Sequence, residues 1–271
     1  MNTNMGMGSM ETSTIFSPIL GIDWNYSVYL PAGYDDSPLR YPVIYLLHGL
    51  YGNHGNFSDR LEVSLLLDGL EAATGQSAIA VCVDGFNSFY IDARDGMHME
   101  QAIITDLIPS IDAHYRTQPY ASRRSLCGIS MGGFGAARFA LRYPEIFGQA
   151  ALISPAVWCT RPLDDAIYRT QHAFRDDETN WSDAVYRSVF PTSYIGPDSA
   201  RTPFYIVSTQ DDEVVSIDDV DAFVGSLRHN GVDVVYERDS GDSHCWDYWR
   251  RALPRALTWS LKRLGNGSAR G

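Results

Sequence analysis

Gly128-Ile129-Ser130-Met131-Gly132 reads G-x-S-x-G, between residues that predict a strand and residues that predict a helix. The run 125–127 before it is typical of a buried strand, and the small residues 133–140 after it are typical of a helix. In a nucleophile elbow a serine sits on such a strand-to-helix turn, where glycines two residues away keep Cβ atoms out of the bend. The stretch therefore predicts Ser130 as a nucleophile and the Met131 N–H as a donor to an oxyanion.

Apolar runs on either side of this stretch predict further strands of a parallel sheet. They are continuous, which suits strands covered on both faces, and helical segments separate them; the runs are 43–47, 79–83, 150–153, 204–208 and 232–236. Residues 15–20 and 24–30 alternate in polarity and predict an antiparallel pair. We therefore expect an α/β fold: a mostly parallel central sheet with helices on both faces and antiparallel N-terminal strands.

The 271 residues, 45% of them hydrophobic and 20% charged, are expected to form one domain with a sizeable core. We expect a disordered leader over residues 1–13, the domain over 14–264 and a flexible tail over 265–271. Residues 154–201 depart from the alternation of strands and helices, with prolines and aromatic residues among many polar ones. They form either a lid or pocket wall over the serine or a solvated surface insertion, and the sequence favours neither.

Charge and cysteine content argue against several function classes. The net charge of −12 disfavours nucleic-acid binding, which needs a basic face. No apolar run reaches the roughly 18 residues of a membrane span. The four cysteines have no metal-type spacing, and residues 1–13 lack the features of a secretory signal. We therefore expect a cytoplasmic protein without metal, cofactor, nucleic-acid partner or membrane partner, and a homo-oligomer stays open.

His244 and a run of acids supply the groups that a serine nucleophile requires. A serine needs a base to take its proton, and the base needs a carboxylate on its other ring nitrogen. His244 follows the last predicted strand, whereas the other histidines fit structural roles, with His54 open as a pocket residue. Among the acids 211–213, Asp212 is preferred and Asp211 is the alternative. The resulting order, serine then aspartate then histidine, is that of α/β-hydrolases.

Loops beyond the ends of the predicted strands supply the remaining site residues. The loop after residues 43–47 begins His48-Gly49-Leu50, and its position predicts the Leu50 N–H as the second oxyanion donor. Ligands of such sheets bind beyond the carboxyl ends of the strands. The substrate-binding candidates in these loops and in residues 154–201 are Tyr51, Asn87, Trp158 and Trp246, with core packing as the alternative role for both tryptophans.

Four segments together resemble the esterase D-like "putative esterase" family of α/β-hydrolases, and the resemblance extends over residues 15–264. They are YPVIYLLHG at 41–49, VDG at 83–85, GISMGGFGA at 128–136 and HCWDYW at 244–249. The resemblance implies Ser130, Asp212 and His244 as catalytic residues, with Leu50 and Met131 as backbone donors. It implies an α/β-hydrolase fold and a small-molecule ester as substrate.

Residues and resemblance together predict a serine carboxylic-ester hydrolase acting on short-chain, carbohydrate or phenolic esters through an acyl-enzyme. The family includes tributyrin-type, feruloyl and acetyl-xylan esterases, S-formylglutathione hydrolases and mycolyltransferases. The run after His244 looks less like that of S-formylglutathione hydrolases, and Thr209 stands where relatives often carry glycine before the acid. An acyltransferase with the same residues, an S-formylglutathione hydrolase-like thioesterase and a non-enzymatic binding module are the alternatives.

Overall fold

One sheet organises the computed structural model, which describes residues 6–94, 97–162, 172–176 and 181–266. Within these residues the sheet has eight strands: β1 (Ser9–Ser17), β2 (Ile22–Leu30), β3 (Val43–Leu47), β4 (Ile79–Val83), β5 (Arg124–Ile129), β6 (Gln149–Ile153), β7 (Phe204–Thr209) and β8 (Val234–Asp239). Their order across the sheet is β1-β2-β4-β3-β5-β6-β7-β8. The pairs β1–β2 and β2–β4 are antiparallel, and the other neighbours are parallel.

Helices cover both faces of the sheet. They are α1 (Asn56–Asp59), α2 (Val63–Thr74), α3 (Met99–Ala102), α4 (Ile108–His114), α5 (Met131–Arg142), α6 (Asp183–Val189), α7 (Ile217–His229) and α8 (Trp246–Asn266). A π-helical turn, Ile103–Leu107, joins α3 to α4 ahead of Pro109. Helices α1, α2 and α8 pack into one apolar core and the other helices into a second, on the opposite face. No helix of the described residues is long and apolar enough to span a membrane.

The five strands from β3 to β7 are buried along their whole length. Their residues are apolar without alternation because helices lie above and below them. The residues of edge strand β1 are mostly exposed, and exposed positions alternate with partly buried ones along it. This arrangement confirms the expected α/β-hydrolase fold, with its mostly parallel sheet and antiparallel N-terminal strands.

The N-terminal boundary differs from the sequence expectation. Strand β1 begins at Ser9 and pairs with β2 over its full length, so residues 9–13 of the expected leader belong to the sheet. The Gly8 N–H also donates to the Asp68 carboxylate at 2.8 Å. The expectation is wrong because an edge strand exposed to water can consist of polar residues. The first residues of β1 therefore form no apolar run from which a strand could be predicted. Residues 1–5 lie outside the described part.

The described part of the excursion over 154–201 packs against the core and is not a solvated insertion. Phe174, Trp181 and Tyr186 are buried, with ring centroids 4.8–5.1 Å apart, and Tyr186 stacks on Phe134 of α5. Aromatic rings of this size dominate the energetics of the cores they enter. The excursion therefore forms a wall beside the start of α5, while residues 163–171 and 177–180 lie outside the described part.

A buried ion pair lies beneath this wall. Arg138 of α5 and Glu100 of α3 are 2–3% exposed, with Nη1 and Oε2 2.5 Å apart. Arg138 also donates to the Tyr194 hydroxyl at 3.1 Å and lies over the Tyr194 ring. A buried charge persists only when it is paired, so this contact joins α3, α5 and the excursion.

At the C-terminal end of the domain, α8 extends to Asn266, two residues into the expected tail, and residues 267–271 are not described.

Candidate active site

Ser130 lies at the sharp turn between β5 and α5. Its φ of +54° and ψ of −115° fall outside the ordinary regions for a residue with a side chain. The turn is tight enough that a Cβ on Gly128 would overlap the Gly132 carbonyl, and a Cβ on Gly132 would overlap the Leu47 carbonyl. Both glycines of the G-x-S-x-G stretch are therefore required by close backbone approach. The Ser130 N–H donates to the Ile153 carbonyl at 2.9 Å, which ties the turn to β6.

His244 reaches Ser130 from the loop between β8 and α8. Its Nε2 lies 2.8 Å from Ser130 Oγ, and its Nδ1 lies 2.7 Å from Asp212 Oδ2. A carboxylate only accepts hydrogen bonds, so the proton is on Nδ1 and Nε2 accepts from the serine hydroxyl. The edge of the imidazole meets the Trp249 ring at 90°, with centroids 5.1 Å apart. The three side chains form one hydrogen-bonded chain.

Asp212 is held in the turn after β7 by its second carboxylate oxygen. Oδ1 accepts the Val214 N–H at 2.9 Å and the Val215 N–H at 2.8 Å, and the side chain is fully buried. Two backbone donors stabilise the ionised form and leave Oδ2 facing the histidine. Asp212 is therefore the acid that the structure brings to His244.

Its two acidic neighbours hold the histidine loop, a role that the sequence analysis missed. Asp211 Oδ2 accepts the Gly241 N–H at 2.6 Å, and Glu213 Oε2 accepts the His244 N–H at 3.3 Å. The three consecutive acids bind three points of the neighbouring loop. Their only sequence signal is the run of acids itself, which does not say which oxygen faces which donor.

The loop after β3 passes beside Ser130. Gly49 lies close to Ser130, since a Cβ placed on this glycine would be 3.4 Å from the serine Cβ. Within the described residues, no acceptor pairs with the N–H of Leu50 or with that of Met131 at the start of α5. Unpaired donors at a serine side chain can bind a developing oxyanion.

Asn87, predicted to bind substrate, holds this loop through its side-chain amide and is not in the pocket lining. Its Oδ1 accepts the N–H of Tyr51 at 2.8 Å, next to Leu50. Tyr51 has a φ of +63°, a conformation that costs free energy in a residue with a side chain. The amide of Asn87 stabilises this peptide and thereby directs the preceding N–H.

Replacing Asn87 by Ala should lower kcat with little change in KM. The loss of one hydrogen bond, worth about 0.5–1.5 kcal/mol, corresponds to a fall in kcat of up to about tenfold. The fall comes from a loosened oxyanion loop, so it appears in the chemical step. Steady-state kinetics on p-nitrophenyl acetate measure it, and a rise in KM alone would return Asn87 to the substrate-binding role.

His48 is a structural residue behind the same loop. Its Nδ1–H donates to the Gly49 carbonyl at 2.7 Å, and its Nε2 accepts the Gly85 N–H at 2.9 Å. The Tyr90 hydroxyl donates to the His48 carbonyl at 3.1 Å, and burial raises the pKa of Tyr90 well above its usual value. The expectation that His48 is structural is confirmed. His54, left open as a pocket residue, bonds the Ser27 hydroxyl at 2.7 Å instead and is absent from the pocket lining.

A mostly apolar pocket of about 230 Å³ opens at Ser130. Its lining residues are Leu50, Tyr51, Phe89, Ser130, Met131, Ala156, Trp158, Val214, His244 and Trp249. Tyr51 and Trp158, two of the predicted substrate-binding residues, line this pocket. Trp246, a third, does not line it: its ring packs edge-to-face on Trp249, and Arg60 lies over the Trp246 ring. The pocket tryptophan is Trp249, one helical turn further, because the first residue of α8 points away from the serine.

The comparisons with known proteins agree with this fold. A family model described as "Putative esterase" matches residues 17–260. The chain belongs to the putative esterase family. No group of three or more metal-ligating side chains occurs within the described residues.

Two curated proteins are similar in sequence. An acetyl esterase of Caldicellulosiruptor saccharolyticus is 27% identical over 241 residues, which cover 81% of this chain and 83% of the relative. An endo-1,4-beta-xylanase/feruloyl esterase of Xylanibacter ruminicola is 30% identical over 167 residues, 58% of this chain and 23% of the relative. The match thus spans about a quarter of the second protein's length.

A solved structure of a ferulic acid esterase has the same fold. It superposes with a TM-score of 0.82 at 24% sequence identity, covering 96% of this chain and 99% of that chain. At this identity the likeness concerns the fold alone.

Proposed function

We propose that this chain is a serine esterase in which Ser130, His244 and Asp212 form the catalytic triad. The observation that carries the proposal is the unbroken hydrogen-bonded chain, with 2.8 Å from Ser130 Oγ to His244 Nε2 and 2.7 Å from His244 Nδ1 to Asp212 Oδ2. A base within this reach can take the hydroxyl proton during attack, and the carboxylate stabilises the imidazolium that forms.

The reaction proceeds in two halves through an acyl-enzyme. Ser130 Oγ attacks the ester carbonyl carbon while His244 Nε2 takes its proton, and the oxyanion accepts hydrogen bonds from the Leu50 and Met131 N–H groups. The tetrahedral adduct collapses, the carbon–oxygen bond to the alcohol breaks, and His244 returns the proton to the departing alkoxide. A water molecule then attacks the acyl-enzyme with the same base, which releases the acid and restores Ser130.

The proposed substrates are esters with a small acyl group on a phenol, a short alcohol or a sugar. A pocket of about 230 Å³ is below the usual range for larger ligands, roughly 300–1,000 Å³, and its walls are mostly apolar. One relative is named an acetyl esterase and another an endo-1,4-beta-xylanase/feruloyl esterase, which supports an acyl group without a long alkyl chain and a carbohydrate as the alcohol.

A fluorophosphonate probe and p-nitrophenyl acetate together test this function. We expect one probe molecule per chain, located on Ser130 by peptide mass spectrometry, with hydrolysis lost in proportion to labelling. The reason is that only a serine beside a neutral imidazole reacts with such probes at an appreciable rate.

Two outcomes would replace the proposal. A chain that fails to label and fails to hydrolyse esters would be a binding module on this fold. If an added sugar or alcohol acceptor turns most of the acyl group into a new ester rather than free acid, the enzyme is an acyltransferase with the same triad.

A further inference from the structure

Trp158 stands between the pocket at Ser130 and a second, larger cavity. The second cavity has a volume of about 480 Å³ and lies between the excursion and α7. Its wall is mostly apolar and includes Tyr186, Phe190, Ala222 and Phe223. Among the described residues, Trp158 is the one side chain that lines both spaces.

Two contacts of the indole and one of the backbone fix Trp158 in this position. Its Nε1–H donates to the Val214 carbonyl at 2.9 Å, and its ring packs on Phe89 with centroids 6.1 Å apart. The Trp158 carbonyl accepts the Tyr186 hydroxyl at 2.9 Å. Burial raises the pKa of Tyr186 well above its usual value, so the hydroxyl keeps its proton as a donor. With 5% of its surface exposed, Trp158 is a fixed partition.

The chemistry of the reaction directs the acyl group toward this partition. The departing alkoxide must lie beside His244, which protonates it, and Trp249 packs against the imidazole and lines the same pocket. The acyl chain therefore takes the remaining part of the pocket, between Phe89, Ala156 and Trp158. Of these three residues, Trp158 is the one that also lines the second cavity.

We propose that Trp158 sets the upper limit on acyl chain length by closing the catalytic pocket against the second cavity. The inference rests on the proposed function, because it concerns the acyl half of the same substrate. Removal of the indole joins the two apolar spaces, and a longer acyl chain then extends past Ala156 toward Phe190 and Phe223. Trp158 thus acts as a specificity-determining residue.

The test compares Trp158→Ala and Trp158→Leu with wild type on p-nitrophenyl esters from acetate to octanoate. Each newly buried methylene is worth about a fourfold gain in kcat/KM, so the octanoate-to-acetate ratio should rise by about tenfold or more. Trp158→Leu keeps an apolar branched side chain at the site and serves if truncation to Ala prevents folding. Thermal melts of both variants establish that the chain compared is folded.

Ala222→Phe is the matched control because it fills the second cavity without touching the catalytic pocket. Alone, it should leave the wild-type chain-length profile unchanged. Combined with Trp158→Ala, it should return the ratio toward the wild-type value. An unchanged ratio in the folded Trp158 variants would overturn the proposal. So would a changed ratio in Ala222→Phe alone, since the wild-type enzyme would then already use the second cavity.

Labelling rates separate this inference from the proposed function. Fluorophosphonates with short and long alkyl arms report access to Ser130 without turnover. If neither arm labels any variant and no ester is hydrolysed, the serine esterase proposal fails and takes the inference with it. If wild type labels and hydrolyses normally while the Trp158 variants show no gain for the long arm, only the role of Trp158 is refuted.

Discussion

Ser130→Ala should lower kcat for p-nitrophenyl acetate by about 10⁶-fold, the loss seen when the nucleophile of a triad is removed. The methyl group cannot attack the carbonyl, and the remaining backbone donors only stabilise attack by water. Alanine tolerates the backbone at this position as well as serine does, because both carry a Cβ at the same φ of +54°. The fold should therefore persist, and a single-turnover assay with a sensitive fluorogenic ester measures the residual rate.

Ser125→Ala is the matched control for this experiment. Ser125 is a fully buried serine on β5, the strand that leads to Ser130, and within the described residues its hydroxyl makes one long contact, 3.5 Å to a backbone carbonyl. Its loss should leave kcat close to wild type. Retention of more than a small fraction of the activity by Ser130→Ala would mean that another nucleophile carries the reaction.

Asp212→Asn is expected to lower kcat by about 10⁴-fold through the wrong tautomer of His244. Oδ1 of the carboxylate accepts the Val214 and Val215 N–H groups, so the asparagine must place its carbonyl oxygen there. Its NH₂ group then faces Nδ1 of the imidazole, which has to accept, and the ring proton moves to Nε2. An Nε2 that carries a proton cannot take the one from Ser130.

Asp211→Asn tests the neighbouring carboxylate with the same change of charge and shape. Its oxygen accepts the Gly241 N–H at 2.6 Å, and an amide oxygen accepts that hydrogen bond equally well. Activity should stay near wild type. The pH profile of kcat separates the two variants further, because only Asp212→Asn alters the imidazole that acts as base. The reverse ranking of the two variants would move the acid by one residue.

The sequence predicted the order of elements and the candidates for the reacting groups for physical reasons that act locally. The continuous apolar run of β3 predicts a strand that is buried on both faces. The glycines on either side of Ser130 predict a tight turn, because a Cβ at either position would overlap backbone atoms. The first part of edge strand β1 was missed because its pairing is backbone hydrogen bonding, which leaves no apolar pattern in residues 9–13.

The residues that line the pocket were harder to predict, because their positions depend on the rotation of a helix about its axis and on the conformation of loops. Trp246 and Trp249 differ by one turn of α8, and the sequence does not show which of them faces the serine. Asn87 was correctly placed in the site region, but its amide holds the Tyr51 peptide instead of substrate. In both cases the residue type predicted a position near the site, but the sequence did not predict the direction of the side chain.

The sequence by itself determined the sheet, the elbow that carries Ser130 and the candidates for base and acid, because each follows from apolar periodicity, glycine spacing or chain order. Only the tertiary structure decided that Asp212 and not Asp211 faces His244, and that Trp158 separates two cavities. These outcomes depend on which backbone donors and aromatic rings come within a few ångströms of each side chain. The groups that meet there are distant in the chain, so no local sequence pattern predicts the contact.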